Sequence, residues 1–166
     1  MALEKFESTF SNTERLRIAS LVKKNETILV MFSGVGIYNL VIAKNSKAKE
    51  IYGIEINPIA NKYALENLKL NKNNNIKLFL GDVKKITPKL NKKFDRIIMP
   101  LPASSEDYLK DALKVAKKNT IVHIYTFNLE ELKEILKKEK VKILKIVKAG
   151  QISPGKYRYC LDFKIN

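Results

Sequence analysis

The chain of 166 residues has one cysteine, one histidine, one glutamine and no tryptophan. A single thiol, Cys160, excludes an internal disulfide framework and a zinc site built on cysteines. It stands in an alternating run near the end of the chain, which reads as a small core residue. His123 lies in the apolar run Ile121-Val122-His123-Ile124-Tyr125. A lone imidazole there reads as a hydrogen-bonded core side chain, and no metal site is expected. No apolar run reaches the roughly 18 residues that a membrane-spanning helix needs. Met1 to Phe10 carries Glu4, Lys5 and Glu7 and lacks the form of a signal peptide, so a cytoplasmic protein is expected.

Acid is also scarce. Asp and Glu number 17 against 32 Lys and Arg, a formal net charge of +15. A hot-adapted composition would raise Glu along with Lys, and here Glu lags. The surplus therefore favours a polyanion, and nucleic acid first. With 45% apolar residues the chain still has the composition of a globular domain rather than a disordered basic tail.

Short apolar runs alternate with helical-period segments. A helix is expected from Ser11 or Asn12 to about Lys24, with Leu16, Ala19, Ser20 and Lys23 on one face. Thr27 to Phe32 is nearly all apolar, as in a strand buried on both faces. Gly34-Val35-Gly36 turns the chain into a helix ending near Asn45. Strands are expected at Glu50–Glu55, Ile76–Leu80, Phe94–Met99 and Thr120–Phe127, with helices from Pro58 to about Asn71, Ser105 to Lys117 and Leu129 to Lys140. Lys142–Val147 and Tyr157–Ile165 read as two closing strands around Ser153-Pro154-Gly155. Alternating strand and helix implies a parallel α/β sheet covered on both faces, and the two final strands imply an antiparallel hairpin at one edge.

In such sheets the ligand lies beyond the carboxyl ends of the strands, where strand order reverses. After the first strand come Phe32-Ser33-Gly34-Val35-Gly36, with Asn39 at the place of a third glycine. The shortened motif suits a ligand without phosphate. Glu55, about 20 residues after the first glycine, is placed to accept from ribose hydroxyls, or to be a helix-start charge. Asp82, ending the third strand, is an adenine-facing acid or a helix cap, with the Val83 N–H beside it. Pro100-Leu101-Pro102 makes a rigid segment at the mouth, either a dock for a flipped-out base or a plain loop.

The runs MFSGVG, IYGIEINPIA, LENLKLNKNNNIKLFLGDV, FDRIIMPLP, IVHIYTF and FSNTERLRIA resemble the archaeal and eukaryotic tRNA (guanine-N1) methyltransferases that modify position 37, and their relative, the wybutosine-pathway aminocarboxypropyl transferase. The likeness covers Phe10 to Ile165. It implies a Rossmann-like, class I methyltransferase fold dependent on S-adenosylmethionine (SAM), a seven-stranded, mostly parallel sheet with a C-terminal antiparallel hairpin. Residues 1–24 would form a helical lead-in and 25–166 the methyltransferase domain.

It implies tRNA as partner and SAM as cofactor. Phe32, Gly34 and Gly36 would line the methionine part, Glu55 and Ile56 the ribose, and Asp82 and Val83 the adenine, with Ser33 and Asn57 also cofactor-binding. Glu14 would be the general base, which read from the residues alone is a helix-start charge, and Pro100 and Pro102 would flank the target base. The family's guanine enzymes usually carry Asn-Leu-Pro where this chain has Pro100-Leu101-Pro102. Larger members also carry N-terminal domains that grip tRNA, so a missing domain or a partner chain is expected. Four readings stand: guanine methylation, aminocarboxypropyl transfer, a non-catalytic RNA- or partner-binding domain, and a small-molecule methyltransferase, the last disfavoured by the charge.

Overall fold

The computed structural model describes residues 9–166. Helix α1 (Thr9–Leu21) leads into strand β1 (Thr27–Met31), followed by α2 (Ile37–Asn45), β2 (Glu50–Glu55), α3 (Pro58–Asn71) and β3 (Ile76–Leu80). A short α4 (Val83–Ile86) and a 3-10 turn precede β4 (Phe94–Met99). Then come α5 (Leu109–Val115), β5 (Ala116–Thr126), α6 (Leu129–Leu136) and the hairpin β6 (Val141–Ser153) and β7 (Lys156–Ile165).

The seven strands form one sheet in the order β3-β2-β1-β4-β5-β7-β6. The first five are parallel, β7 runs antiparallel to β5, and β6 antiparallel to β7. All five residues of β1 are buried, because helices cover both faces of the sheet centre. Alternate residues feed two cores. Leu29 and Met31 pack with Leu109, Ala112 and Leu132 on the α5–α6 side, and Ile28 and Val30 with Ile18, Ala19 and Ile42 on the α1–α2 side. Strand order reverses between β1 and β4, so their carboxyl ends open a crevice. Among the described residues no helix is long and apolar enough to cross a membrane.

Several expectations are corrected. Ser11 and Asn12 lie inside α1 rather than capping it. The inward face of α1 carries Glu14, Ile18 and Ala19, while Leu16, Ser20 and Lys23 are exposed. The reason is polar. Arg17 donates to Glu14 and, at 2.7 Å, to Asp162 on β7, so an ion pair faces the interior. Phe32 is not a strand residue; its φ of 59° turns the chain out of the sheet.

The helix placed over Ser105–Lys117 is a 3-10 turn and then α5, and strand β5 begins at Ala116. A bulge follows in β5, with Asn119 left-handed and Thr120 Oγ1 accepting from the Lys117 N–H while donating to the Phe94 carbonyl. Helix α6 stops at Leu136, four residues short of the expected Lys140. Strand β6 runs to Ser153 rather than Val147, because register shifts, one at Gly150, let the twisted hairpin continue.

Asp162 also accepts from His123 Nδ1 at 2.6 Å, and Arg96 donates to His123 Nε2 and to Glu26. His123 and Cys160 are thus core residues, as read from the sequence. His123, Cys160 and Asp162 are close enough to resemble a metal site, but the imidazole acceptor is taken by Arg96 and the carboxylate by Arg17 and His123. Removing Asp162 would leave the His123 Nδ1–H without an acceptor and the Arg17 guanidinium with Glu14 alone. Asp162→Ala should lower stability by about 3–5 kcal/mol, seen as a fall in the urea midpoint at unchanged slope.

Candidate active site

The β1–α2 loop forms the crest of the crevice. Phe32 adopts a left-handed conformation that a bulky residue rarely takes, fixed by the Ser33 N–H donating to the Ile54 carbonyl at 2.9 Å. Gly34 follows with φ of 55°, and a Cβ built on it meets nothing, so the crest faces open space. Gly36, at φ of 82°, turns the chain into α2 against Ala64.

Glu55 joins this crest to β2. One carboxylate oxygen accepts from the Gly34 N–H and the other from the Asn57 N–H, each at 2.8 Å. Each oxygen keeps a further lone pair for a ligand hydroxyl. The Asn57 side chain is turned away from the crevice to cap α3, accepting from the Ile59 and Ala60 N–H groups. The N–H of Gly81 donates to the Glu55 carbonyl, which brings the end of β3 alongside. Asp82 Oδ1 accepts from the Lys84 N–H at 2.8 Å and so caps α4 while its carboxylate lines the crevice. Both readings made of Asp82 from the sequence are compatible with this geometry.

Two chambers share the wall of Phe32. The first, of about 280 Å³, is bounded by Glu55, Ile56, Asp82, Val83, Leu101 and Tyr108. Ile56 is 65% exposed at its rim. Tyr108 meets Phe32 edge-on at 4.8 Å, and the Lys84 ammonium lies 4.8 Å from the Tyr108 ring centre. The second chamber, of about 240 Å³, is bounded by Ser33, Gly34, Tyr38, Pro100 and Tyr125, with Arg15 and Arg158 at its mouth. Pro100 is therefore in the site, whereas Pro102 lines neither chamber.

Glu14 is 4% exposed and stands behind the second chamber rather than on its wall. The Tyr38 hydroxyl donates to the Tyr125 hydroxyl at 2.8 Å, and Tyr125 donates to Glu14 Oε1 at 2.8 Å. Arg17 grips both oxygens of the same carboxylate. Burial pushes the Tyr38 phenol up to about 12 and Tyr125 upward as well, so both hydroxyls keep their protons at neutral pH.

The sequence reading missed Tyr38, Tyr108, Tyr125 and Arg15 as site residues. Tyr125, at the carboxyl end of β5, could have been found by the strand-end rule already applied to the earlier strands.

A sheet of this order with such a crevice defines the class: the Rossmann-like fold of SAM-dependent methyltransferases. The chain belongs to the TRM5/TYW2 methyltransferase domain family, whose pattern matches residues 5–152. It is 34% identical over 165 residues to the tRNA (guanine(37)-N(1))-methyltransferase Trm5b of Pyrococcus abyssi, covering 93% of this chain and 48% of that protein. It is 32% identical to the tRNA(Phe) (4-demethylwyosine(37)-C(7)) aminocarboxypropyltransferase of Methanocaldococcus jannaschii, covering 91% and 64%. The crystal structure of M. jannaschii Trm5 in complex with adenosine superposes with a TM-score of 0.85 at 32% identity, over 97% of this chain and 50% of that one. The chain thus spans less than two thirds of the length of these relatives.

The buried cluster behind the site gives a pH signature. Burial pushes the His123 imidazole below its usual 6.5, against the opposing hydrogen bond to Asp162. Below pH 6.5 the unfolded chain takes up this proton first, so stability falls. Burial alone would raise the Asp162 carboxyl, but His123 and Arg17 hold it below its usual 3.8, so its contribution persists above 3.8 and is lost as pH drops through its lower folded value. Tm followed by circular dichroism should decline from pH 6.5 downward and again below 3.8, and His123→Gln should remove the first decline.

Proposed function

We propose that this domain binds SAM in the first chamber and methylates guanine N1 at position 37 of tRNA, presented in the second. The observation that carries the reading is Glu55, strapped between the Gly34 and Asn57 N–H groups with one lone pair per oxygen left for a ribose. The flat apolar walls of Ile56, Val83 and Leu101 suit an adenine, and Asp82 an exocyclic amine. The open space above Gly34 leaves room for the methionine part. These residues fit an adenosyl group, as do the adenosine complex of the M. jannaschii relative and family membership. The net charge of +15 and the two arginines at the mouth suit an RNA.

Bound there, SAM supplies a methyl electrophile on a sulfonium. The residues of this chain position the acceptor and manage its proton. Pro100 and Tyr125 confine a flipped-out base beside the Phe32 wall. As N1 would gain its bond to the methyl, with the pair of the broken methyl–sulfur bond left on a neutral thioether, the N1 proton would pass to the Tyr125 oxygen and the phenol's own proton to Glu14 Oε1, 2.8 Å away. Glu14 is then the terminal base, reached through Tyr125, and Arg17 fixes its orientation.

Pro100 favours a second reading. It offers no side-chain amide to the base, so transfer of the aminocarboxypropyl group of SAM, the reaction named for the M. jannaschii relative, is the alternative. Because the relatives are longer, a further module or a partner chain is proposed to share the grip on tRNA in the cytoplasm.

Incubation with labelled SAM and unmodified tRNA, followed by nucleoside mass analysis, should give 1-methylguanosine; a far heavier adduct would select the alternative. Glu55→Ala should abolish calorimetric binding of S-adenosylhomocysteine. Glu14→Gln should spare that binding and slow transfer about 100-fold or more. Unchanged turnover in Glu14→Gln would remove Glu14 from the chemistry. Association with tRNA should fall steeply between roughly 50 and 200 mM salt.

A further inference from the structure

We propose that the tip of the β6–β7 hairpin is a stacking shelf for an unpaired nucleotide flanking the target base in a single-stranded RNA loop. The inference rests on the RNA-directed reading above and adds a binding surface to it.

The topology places the tip. Because β7 runs antiparallel to β5 and their last pair is Thr126 with Tyr159, residues 153–158 overhang the carboxyl end of β5, the edge where the crevice opens. Side chains alternate along this overhang. Arg158 turns to the crevice, its guanidinium 5.5 Å from the Tyr125 ring centre. Tyr157 and Tyr159 take the other side, where with Phe127, Ile152 and Lys156 they bound a concavity of about 520 Å³. One strand therefore separates the base-sized chamber from an aromatic hollow.

The hollow has the chemistry of a nucleobase site. The two tyrosine rings lie 6.4 Å apart at 59°, Phe127 is 46% exposed and Ile152 54% exposed. The Lys148 ammonium sits 4.3 Å from the Tyr157 ring centre. From Val141 to Tyr159 there are five cations, Lys142, Lys145, Lys148, Lys156 and Arg158, and no acid. Aromatic faces interleaved with cations bind single strands through stacking and phosphate attraction, with little preference for sequence. A duplex keeps its bases stacked on one another and cannot use the rings. An acidic peptide would satisfy the cations but bring no flat face to Tyr157.

Fluorescence anisotropy on the full chain tests this with two probes of equal charge, an anticodon stem-loop and a blunt duplex. Tyr157→Ala should weaken the stem-loop about tenfold or more and leave the duplex nearly unchanged. Tyr157→Phe should restore stem-loop affinity, and S-adenosylhomocysteine binding should stay as in the wild type. Ile152→Ala, at a more exposed position, should act in the same direction and covers the case in which Tyr157→Ala does not fold.

Equal loss of both probes would reduce the shelf to a charged surface and overturn the proposal. So would wild-type stem-loop affinity in both alanine variants, or competition by polyglutamate as effective as that by the stem-loop. If the wild type binds and modifies tRNA while the alanine variants are indifferent, only the shelf falls. If the wild type binds no RNA, the shelf falls together with the function proposed above.

Discussion

A buried chain of polar contacts holds the second chamber in place, and the roles proposed for Glu14 and Tyr125 depend on it. It runs from Tyr38 through Tyr125, Glu14, Arg17, Asp162 and His123 to Arg96 and Glu26. Each link is a hydrogen bond between groups that would be expensive to bury alone. The chain pins α1 across the sheet and sets where the Glu14 carboxylate stands. It also fixes Tyr38 and Tyr125, the members of the network that line the second chamber.

The first chamber depends on backbone rather than on buried charge. A left-handed Phe32, two glycines of positive φ and the Glu55 carboxylate form a crest whose shape is set before any ligand arrives. Preorganisation of this kind lowers the ordering cost of binding. The two chambers meet at one aromatic wall, so a donor bound in the first and an acceptor in the second share a boundary.

Much of this was legible in the sequence, for definite reasons. Buried parallel strands are near-continuous apolar runs, so β2 and β4 are bounded correctly by composition alone, and the edge strand β3 is bounded by its apolar run and the Gly81 that ends it. The rule that ligands lie at strand ends picked out Gly34, Glu55 and Asp82, and the structure brings their loops together. The inward face of α1 was not legible, because it is chosen by a charged pair whose partner lies 145 residues away. Hydrophobic periodicity favours Leu16 there, and the structure exposes it. Asn57 shows the opposite limit: its side chain caps α3 through local contacts, a role that the reading of it as cofactor-binding did not name. The length of β6 was hidden because Gly150 resembles a loop residue until a register shift accommodates it.

The tie between Arg17 and Asp162 joins the first described helix to the last strand. Arg17 is made 145 residues before Asp162, so its guanidinium waits for nearly the whole domain before it meets that carboxylate. Until β7 is released, Tyr125 lacks the antiparallel neighbour that flanks it and Glu14 lacks a fixed orientation. The crest built by Gly34, Asn57 and Glu55 uses no residue of β7, so the two chambers are assembled from different stretches of the chain.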